Sequence, residues 1–118
     1  MERKIYYLSS CDTCKRILKE LAPLDEITLQ DIKISPVTAA QLEALKGLAG
    51  SYEALFSKRA RLYKEKGLHE KDLTEPEIRN LLLQHYTFLK RPVIVLENTI
   101  FIGNSKKVVA AAKESLHS

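Results

Sequence analysis

YYLSSCDTCKRILKEL, residues 6–21, places two cysteines three positions apart where a run of β-forming residues gives way to a helical pattern. The aromatic and β-branched residues at its start predict a buried strand over residues 3–8. The apolar residues that follow recur at helical spacing and predict a helix, which Asp12 or Thr13 can cap and Pro23 ends. The cysteine pair is therefore expected at a junction between a strand and a helix.

Strand and helix signals continue to alternate from this stretch towards the C-terminus. The segment EITLQDI predicts a second strand, and SPVTAAQLEALKGL predicts a helix with Thr38 as its N-cap. Residues 51–66 predict helix in short pieces that are rich in basic side chains. Thr74 and Glu77 form a capping box, with Pro76 in the first turn, and predict another helix.

The last part of the chain predicts a hairpin followed by a helix. KRPVIVLENTIFIGN contains two strands, at 93–96 and 99–102, which a tight turn joins as an antiparallel pair. NSKKVVAAAKESL predicts a closing helix capped by Asn104 or Ser105. The complete order is β-α-β, several helices, then β-β-α, which is a thioredoxin-type arrangement.

Length and composition predict one soluble domain. The chain has 118 residues, of which 45% are hydrophobic and 29% are charged. This size is near the mode for single domains, and no apolar stretch approaches the roughly 18 residues that a spanning helix needs. We therefore expect residues 1–118 to form a single α/β domain of thioredoxin-like type, with a helical insert at about 38–87 and no membrane contact.

Net charge and cysteine content limit the expected location of the protein and the kinds of partner that it can bind. The formal charge is +4, with acids interleaved among the bases, and the few aromatics form no stacking platform, so nucleic-acid binding is not expected. The first residues carry no apolar signal segment, and two cysteines are too few for a secreted disulfide framework. A reducing cytoplasm is the expected location, and a monomer is the default state.

Three interpretations compete for Cys11-Asp-Thr-Cys14. A zinc site needs about four ligands, and the three histidines do not lie at finger-like spacing, so no metal is expected. Buried, inert thiols are the second interpretation, because free cysteine often behaves as a small core residue. Redox chemistry is favoured, because unpaired N–H groups and the dipole at a helix start stabilise a thiolate. Cys11 would then be the nucleophile and Cys14, one turn later, the resolving thiol.

Several longer motifs complete a resemblance. In thioredoxin-like folds the pair before the third strand faces the redox cysteine, and here it is Arg91-Pro92. CDTCKRIL, LFSKRARLYKEKGL, LTEPEIRNLLLQHYTFLKRPVIV and IGNSKKVV together resemble the ArsC/Spx family, which includes glutaredoxin-coupled arsenate reductases and the Spx transcriptional regulators. The resemblance covers nearly the whole chain and is most specific in LLLQHYTFLKRPVIV.

The resemblance implies roles for individual residues. Cys11 would be the catalytic thiol, Arg59 and Arg91 would help to bind an oxyanion, and Pro92 would be cis. Guanidinium groups suit this role because they donate two parallel hydrogen bonds and keep their charge. From the residues alone, Arg59 can equally be a solvated charge and Pro92 an ordinary trans residue.

Two classes of function follow from the resemblance. The first is a thiol-disulfide oxidoreductase with a small oxyanion or thiol substrate, no bound cofactor, and glutathione with glutaredoxin, or thioredoxin, as electron donor. The second is an Spx-like regulator whose disulfide controls binding to RNA polymerase. The chain has Tyr7 and Leu8 where the arsenate reductases carry a His-Asn pair, Gly103 in place of a third oxyanion arginine, and a second cysteine where serine is common. A relative whose thiols only buffer oxidants is a third alternative.

Overall fold

The computed structural model of this chain describes residues 3–118. The chain divides into two compact units. The first comprises the residues up to Ser35 together with Arg91–Ser118, and the second is Pro36–Lys90. The second unit spans the segment expected to be a helical insert.

The first unit contains a four-stranded sheet with two of the helices. The strands are β1 (Arg3–Tyr7), β2 (Thr28–Asp31), β3 (Val93–Leu96) and β4 (Thr99–Ile102). They lie in the order β2-β1-β3-β4, with β1 parallel to β2, and with β3 antiparallel to both β1 and β4. This mixed order confirms the predicted α/β fold of thioredoxin-like type.

Helices α1 (Asp12–Leu21) and α5 (Lys106–Leu116) pack on one core with the sheet. The buried residues of this core come from both helices and from strands β1 and β3: Ile5, Ile17, Leu21, Ile94, Leu96, Val109, Ala112 and Leu116. Segments from both ends of the sequence thus share one apolar cluster, whose burial removes these side chains from water.

The second unit consists of helices and short helical turns. The helices are α2 (Ala39–Ala49), α3 (Arg61–Glu65) and α4 (Glu75–Gln84), with 3-10 turns at Glu53–Leu55, Leu68–Glu70 and Tyr86–Phe88. Thr38 caps α2 in a capping box with Gln41, and Thr74 caps α4 in a capping box with Glu77. Both caps confirm the sequence prediction, because each needs only residues three positions apart.

Within the second unit, residues 55–57 contact residues 88–90. The N–H of Ser57 donates to the carbonyl of Phe88 at 2.7 Å, and the N–H of Lys90 donates to the carbonyl of Leu55 at 2.8 Å. Phe56 and Phe88 are both buried and stack with ring centroids 5.4 Å apart. The middle of this unit and its C-terminal end are therefore joined by backbone pairing and by an aromatic pair.

The start of α1 corrects one prediction. Neither Asp12 nor Thr13 is the N-cap, because both already lie inside the helix and Cys11 takes the cap position. The hairpin strands are found at their predicted bounds, with Glu97 at φ 62 in the turn, and Ser105 rather than Asn104 caps α5.

Within residues 3–118, no helix has both the length and the apolar character needed to cross a membrane.

Candidate active site

Cys11 lies between the end of β1 and the start of α1. As N-cap residue it has an extended backbone, with φ −98 and ψ 113. Its N–H donates to the carbonyl of Leu8 at 3.0 Å, and its own carbonyl accepts from the N–H of Lys15 at 3.1 Å. This geometry fixes the residue at the positive end of the helix dipole, where a negative sulfur is stabilised.

The surroundings of Cys11 favour its thiolate. Partial burial alone would raise its pKa, but the backbone N–H of Cys14, the Cys14 thiol, the charge of Arg91 and the N–H of Thr13 act in the opposite direction. Together these groups outweigh burial and hold the pKa of Cys11 below the ordinary value of 9.0. The Cys11 side chain closes no capping hydrogen bond in the structure, so these N–H groups act on the sulfur electrostatically. Cys11 is therefore the more reactive thiol, since the thiolate is the nucleophile.

Cys14 has the opposite character. Its side chain is fully buried, and burial is the largest of the influences that together raise its pKa to about 11. A hydrogen bond with the Leu8 backbone lowers the pKa, whereas the negative charge of Cys11 raises it further. Both cysteines are free thiols. Cys14 is thus held as a protonated thiol beside a stabilised thiolate.

Arg91 and Pro92 lie at the start of β3, in the same compact unit as the cysteines. The Arg91–Pro92 peptide bond is cis, as the resemblance implied. The carbonyl of Pro92 accepts from the N–H of Gly103 at 2.9 Å. Arg91 has a buried Nε, and its charge lowers the pKa of both Cys11 and Cys14. The structure therefore brings Arg91 to the thiols from a position eighty residues further along the chain.

Arg59 lies in the other compact unit, Pro36–Lys90. Its side chain is exposed, and its backbone N–H donates to the hydroxyl of Ser57 at 3.3 Å. It precedes the short helix α3 in a turn. Its role at an oxyanion stays a prediction.

Asp31 is a residue near the site that sequence patterns did not single out. It ends β2, and one of its carboxylate oxygens accepts from the backbone N–H of Ser9 at 3.3 Å. Ser9 belongs to the turn that leads into Cys11. Parallel strands end at the same edge of a sheet, so an acidic residue closing the second strand was the available signal.

The residues near Cys11 are suited to thiol chemistry. Within residues 3–118, no three or more histidine, cysteine, aspartate or glutamate side chains are grouped so that they could hold a metal ion. The arrangement offers one activated thiolate, one buried thiol and one guanidinium.

A model of the ArsC family matches residues 6–112 of the chain. The chain belongs to the ArsC family. This match confirms the resemblance inferred from the motifs, and it includes both cysteines, Arg59 and the Arg91-Pro92 pair. No curated protein matches the chain in a sequence search.

Solved structures of ArsC relatives have the same fold. An ArsC family related protein from Bacteroides fragilis is 27% identical, with a TM-score of 0.79, covering 95% of this chain and 98% of that one. A Streptococcus mutans protein described as a possible arsenate reductase is 28% identical, with a TM-score of 0.71 and coverage of 88% and 91%. An arsenate reductase from Vibrio cholerae is 19% identical, with a TM-score of 0.78 and coverage of 95% and 98%. Family and relatives support a function of the thiol-oxidoreductase type.

Proposed function

We propose that the chain is a cytoplasmic, monomeric thiol-disulfide oxidoreductase of the arsenate reductase type. The observation that carries the proposal is the pairing of a helix-capping Cys11 of lowered pKa with a buried, protonated Cys14. An enzyme that forms an internal disulfide needs this difference, because one thiol must attack while the other waits.

The reaction would begin at Cys11. Its thiolate attacks the arsenic of arsenate, a sulfur–arsenic bond forms, and an oxygen leaves as water after taking up protons. The negative charge of the Cys11 thiolate is lost in this step, because the sulfur becomes bonded to arsenic. Since that charge helps to raise the pKa of Cys14, its loss makes Cys14 easier to deprotonate.

Cys14 would then resolve the adduct. Its sulfur attacks the sulfur of Cys11, a disulfide bond forms, and the sulfur–arsenic bond breaks. The two electrons of the broken bond stay with arsenic, which leaves as arsenite, so that two thiols are oxidised for each arsenic reduced. A donor thiol pair, from glutathione with glutaredoxin or from thioredoxin, would restore the free thiols with no cofactor bound to the chain.

Arginine would hold the oxyanion during the attack. Arg91 is the better supported, because its positive charge already acts on Cys11. A guanidinium donates hydrogen bonds in a fixed fork that matches tetrahedral oxyanions. These hydrogen bonds are stronger where the site is partly buried. Arg59 would supply a second guanidinium, as the family resemblance implies.

The alternative proposal is a redox switch in the manner of Spx. The presence of Cys14 one turn after Cys11, where many arsenate reductases have serine, favours an internal disulfide whether or not a substrate is turned over. In that case oxidation would change affinity for RNA polymerase. Polymerase capture by the oxidised protein, and not by the reduced protein, would support this alternative.

The deciding experiment measures arsenate reduction with glutathione plus glutaredoxin, and in parallel with thioredoxin. The variants are Cys11→Ser, Cys14→Ser and Arg91→Ala, with Arg16→Ala as the control because Arg16 is an exposed arginine on α1 of the same unit. We expect wild type and Arg16→Ala to turn over. Cys11→Ser should be inactive, and Arg91→Ala should lose about 100-fold or more in kcat/KM, in line with the loss of one oxyanion-stabilising group.

The effect of Cys14→Ser separates two routes. Loss of turnover places the internal disulfide on the reaction path, whereas retained turnover with glutathione means that an external thiol resolves the adduct. No turnover by wild type, with disulfide formation between Cys11 and Cys14 intact, would overturn the enzyme proposal and favour the switch.

A further inference from the structure

A polar contact joins the end of β2 to the turn that leads into Cys11. Oδ1 of Asp31 accepts from the backbone N–H of Ser9 at 3.3 Å and from the N–H of Lys33 at 3.2 Å. The Ser9 hydroxyl is the largest influence that lowers the pKa of Asp31, and the N–H groups of Lys33 and Ser9 and the positive charge of Lys33 add to it. Asp31 is thus held in its ionised form as an acceptor for Ser9.

The Asp31 backbone is held on both sides. It pairs with Tyr7 at the end of the parallel ladder, and the N–H of Ile32 donates to the carbonyl of Tyr7 at 2.9 Å. The carbonyl of Asp31 accepts from the N–H groups of Ile34 and Ser35, at 3.2 and 2.8 Å. A carboxylate carried on a backbone held in this way can keep a neighbouring loop in one position.

The loop that Asp31 holds sets the cap geometry of the reactive cysteine. Ser9 follows Leu8, whose carbonyl accepts from the N–H of Cys11 at 3.0 Å and whose backbone also bonds Cys14. The sulfur of Cys11 is stabilised only while this turn keeps it above the first N–H groups of α1. A displaced turn would remove those donors without changing any residue of the helix.

We propose that Asp31 is a positioning residue, whose contacts with Ser9 hold the 8–11 turn so that the Cys11 sulfur stays over the start of α1. The inference rests on the proposed role of Cys11 as nucleophile. It gives Asp31 a part in the reactivity of a thiol that it does not itself touch.

The direction in which the pKa of Cys11 changes when Asp31 is replaced distinguishes a positioning role from a purely electrostatic one. Any electrostatic effect of the Asp31 carboxylate on Cys11 would disfavour the thiolate, so removing the charge alone would lower and not raise the pKa of Cys11. Loss of positioning removes the N–H groups and weakens the influence of Arg91, and this raises the pKa of Cys11. Asp31→Ala leaves the groups that lower the pKa of Cys11 in the chain, namely the Cys14 thiol and N–H, Arg91 and the N–H of Thr13, and changes only their position relative to the sulfur.

The test measures the rate of Cys11 alkylation by iodoacetamide across pH, with peptide mass spectrometry to assign the modified cysteine. In Asp31→Ala we expect the midpoint of the profile to rise by about half a unit or more, so that alkylation well below the midpoint slows at least about threefold. Asp31→Asn keeps an oxygen acceptor for Ser9 and should recover most of the wild-type profile.

Two further variants complete the design. Gln30→Ala removes a side-chain hydrogen bond to the carbonyl of Ser35 at 2.8 Å but leaves in place the backbone bonds that Asp31 accepts from Ile34 and Ser35. It should leave the midpoint unchanged. Ser9→Ala deletes only the hydroxyl contact, should raise the midpoint by a smaller amount, and decides the matter if Asp31→Ala does not fold.

A midpoint that stays in place or falls in Asp31→Ala, or in Ser9→Ala where that variant decides, would overturn the inference. An equal rise in Gln30→Ala would also overturn it, because the effect would then belong to the turn after β2. Alkylation needs no arsenate and no electron donor. Failure of the proposed function would appear as absent turnover with these profiles intact, so the two failures are distinguishable.

Discussion

The reactive thiol of the first compact unit and two helix starts of the second depend on contacts of different range. In Pro36–Lys90, α2 and α4 start at capping boxes between residues three positions apart, at Thr38 and Thr74. In the first unit, the environment of Cys11 depends on residues brought from far along the sequence, including Arg91. Local contacts therefore define the starts of α2 and α4, whereas strand pairing brings together the groups around Cys11.

The burial of individual side chains predicts where a core substitution in each unit lowers the stability most. Phe88 is fully buried and stacks on Phe56 in the second unit, whereas Phe101 is only partly buried against the core of the first. Phe88→Ala should lower the free energy of unfolding by about 3–5 kcal/mol, and Phe101→Ala by clearly less, because a truncated buried ring leaves a cavity. Urea unfolding of both variants measures this, and equal losses would contradict the ranking.

A smaller effect tests the local contacts of the second unit. Thr74→Ala removes the hydroxyl that accepts from the N–H of Glu77 and should lower the free energy of unfolding by about 1 kcal/mol. Thr74→Ser keeps the hydroxyl and should retain most of that stability. If the two variants unfold alike, the capping box does not stabilise α4 as described.

Local signals in the sequence were sufficient for most of the fold. The caps at Thr38 and Thr74 and the strands of the C-terminal hairpin follow from short motifs, and their order gave the thioredoxin-like arrangement. The predicted N-cap of α1 was wrong. Asp12 and Thr13 are residue types that usually cap helices, whereas Cys11 occupies the cap position here.

The site was predictable only in part. The different reactivities of Cys11 and Cys14 were predictable, because the two cysteines lie at a junction between a strand and a helix. The effect of the Arg91 charge on both thiols agrees with the role that the family resemblance implied. Asp31 was missed because its contact with Ser9, twenty-two positions away, depends on the register in which β1 pairs with β2. No short motif carries such a contact.

The most direct test of the central claim is the pH profile of alkylation in the wild-type protein, resolved for each cysteine. A group whose pKa is lowered is deprotonated at lower pH, so Cys11 should react with a midpoint below that of an ordinary cysteine, which is about 8.5, while Cys14 should stay protected until the pH approaches about 11. That result would support Cys11 as an activated nucleophile with a buried resolving partner. A Cys11 midpoint at or above that of an ordinary cysteine, or Cys14 reacting first, would contradict it.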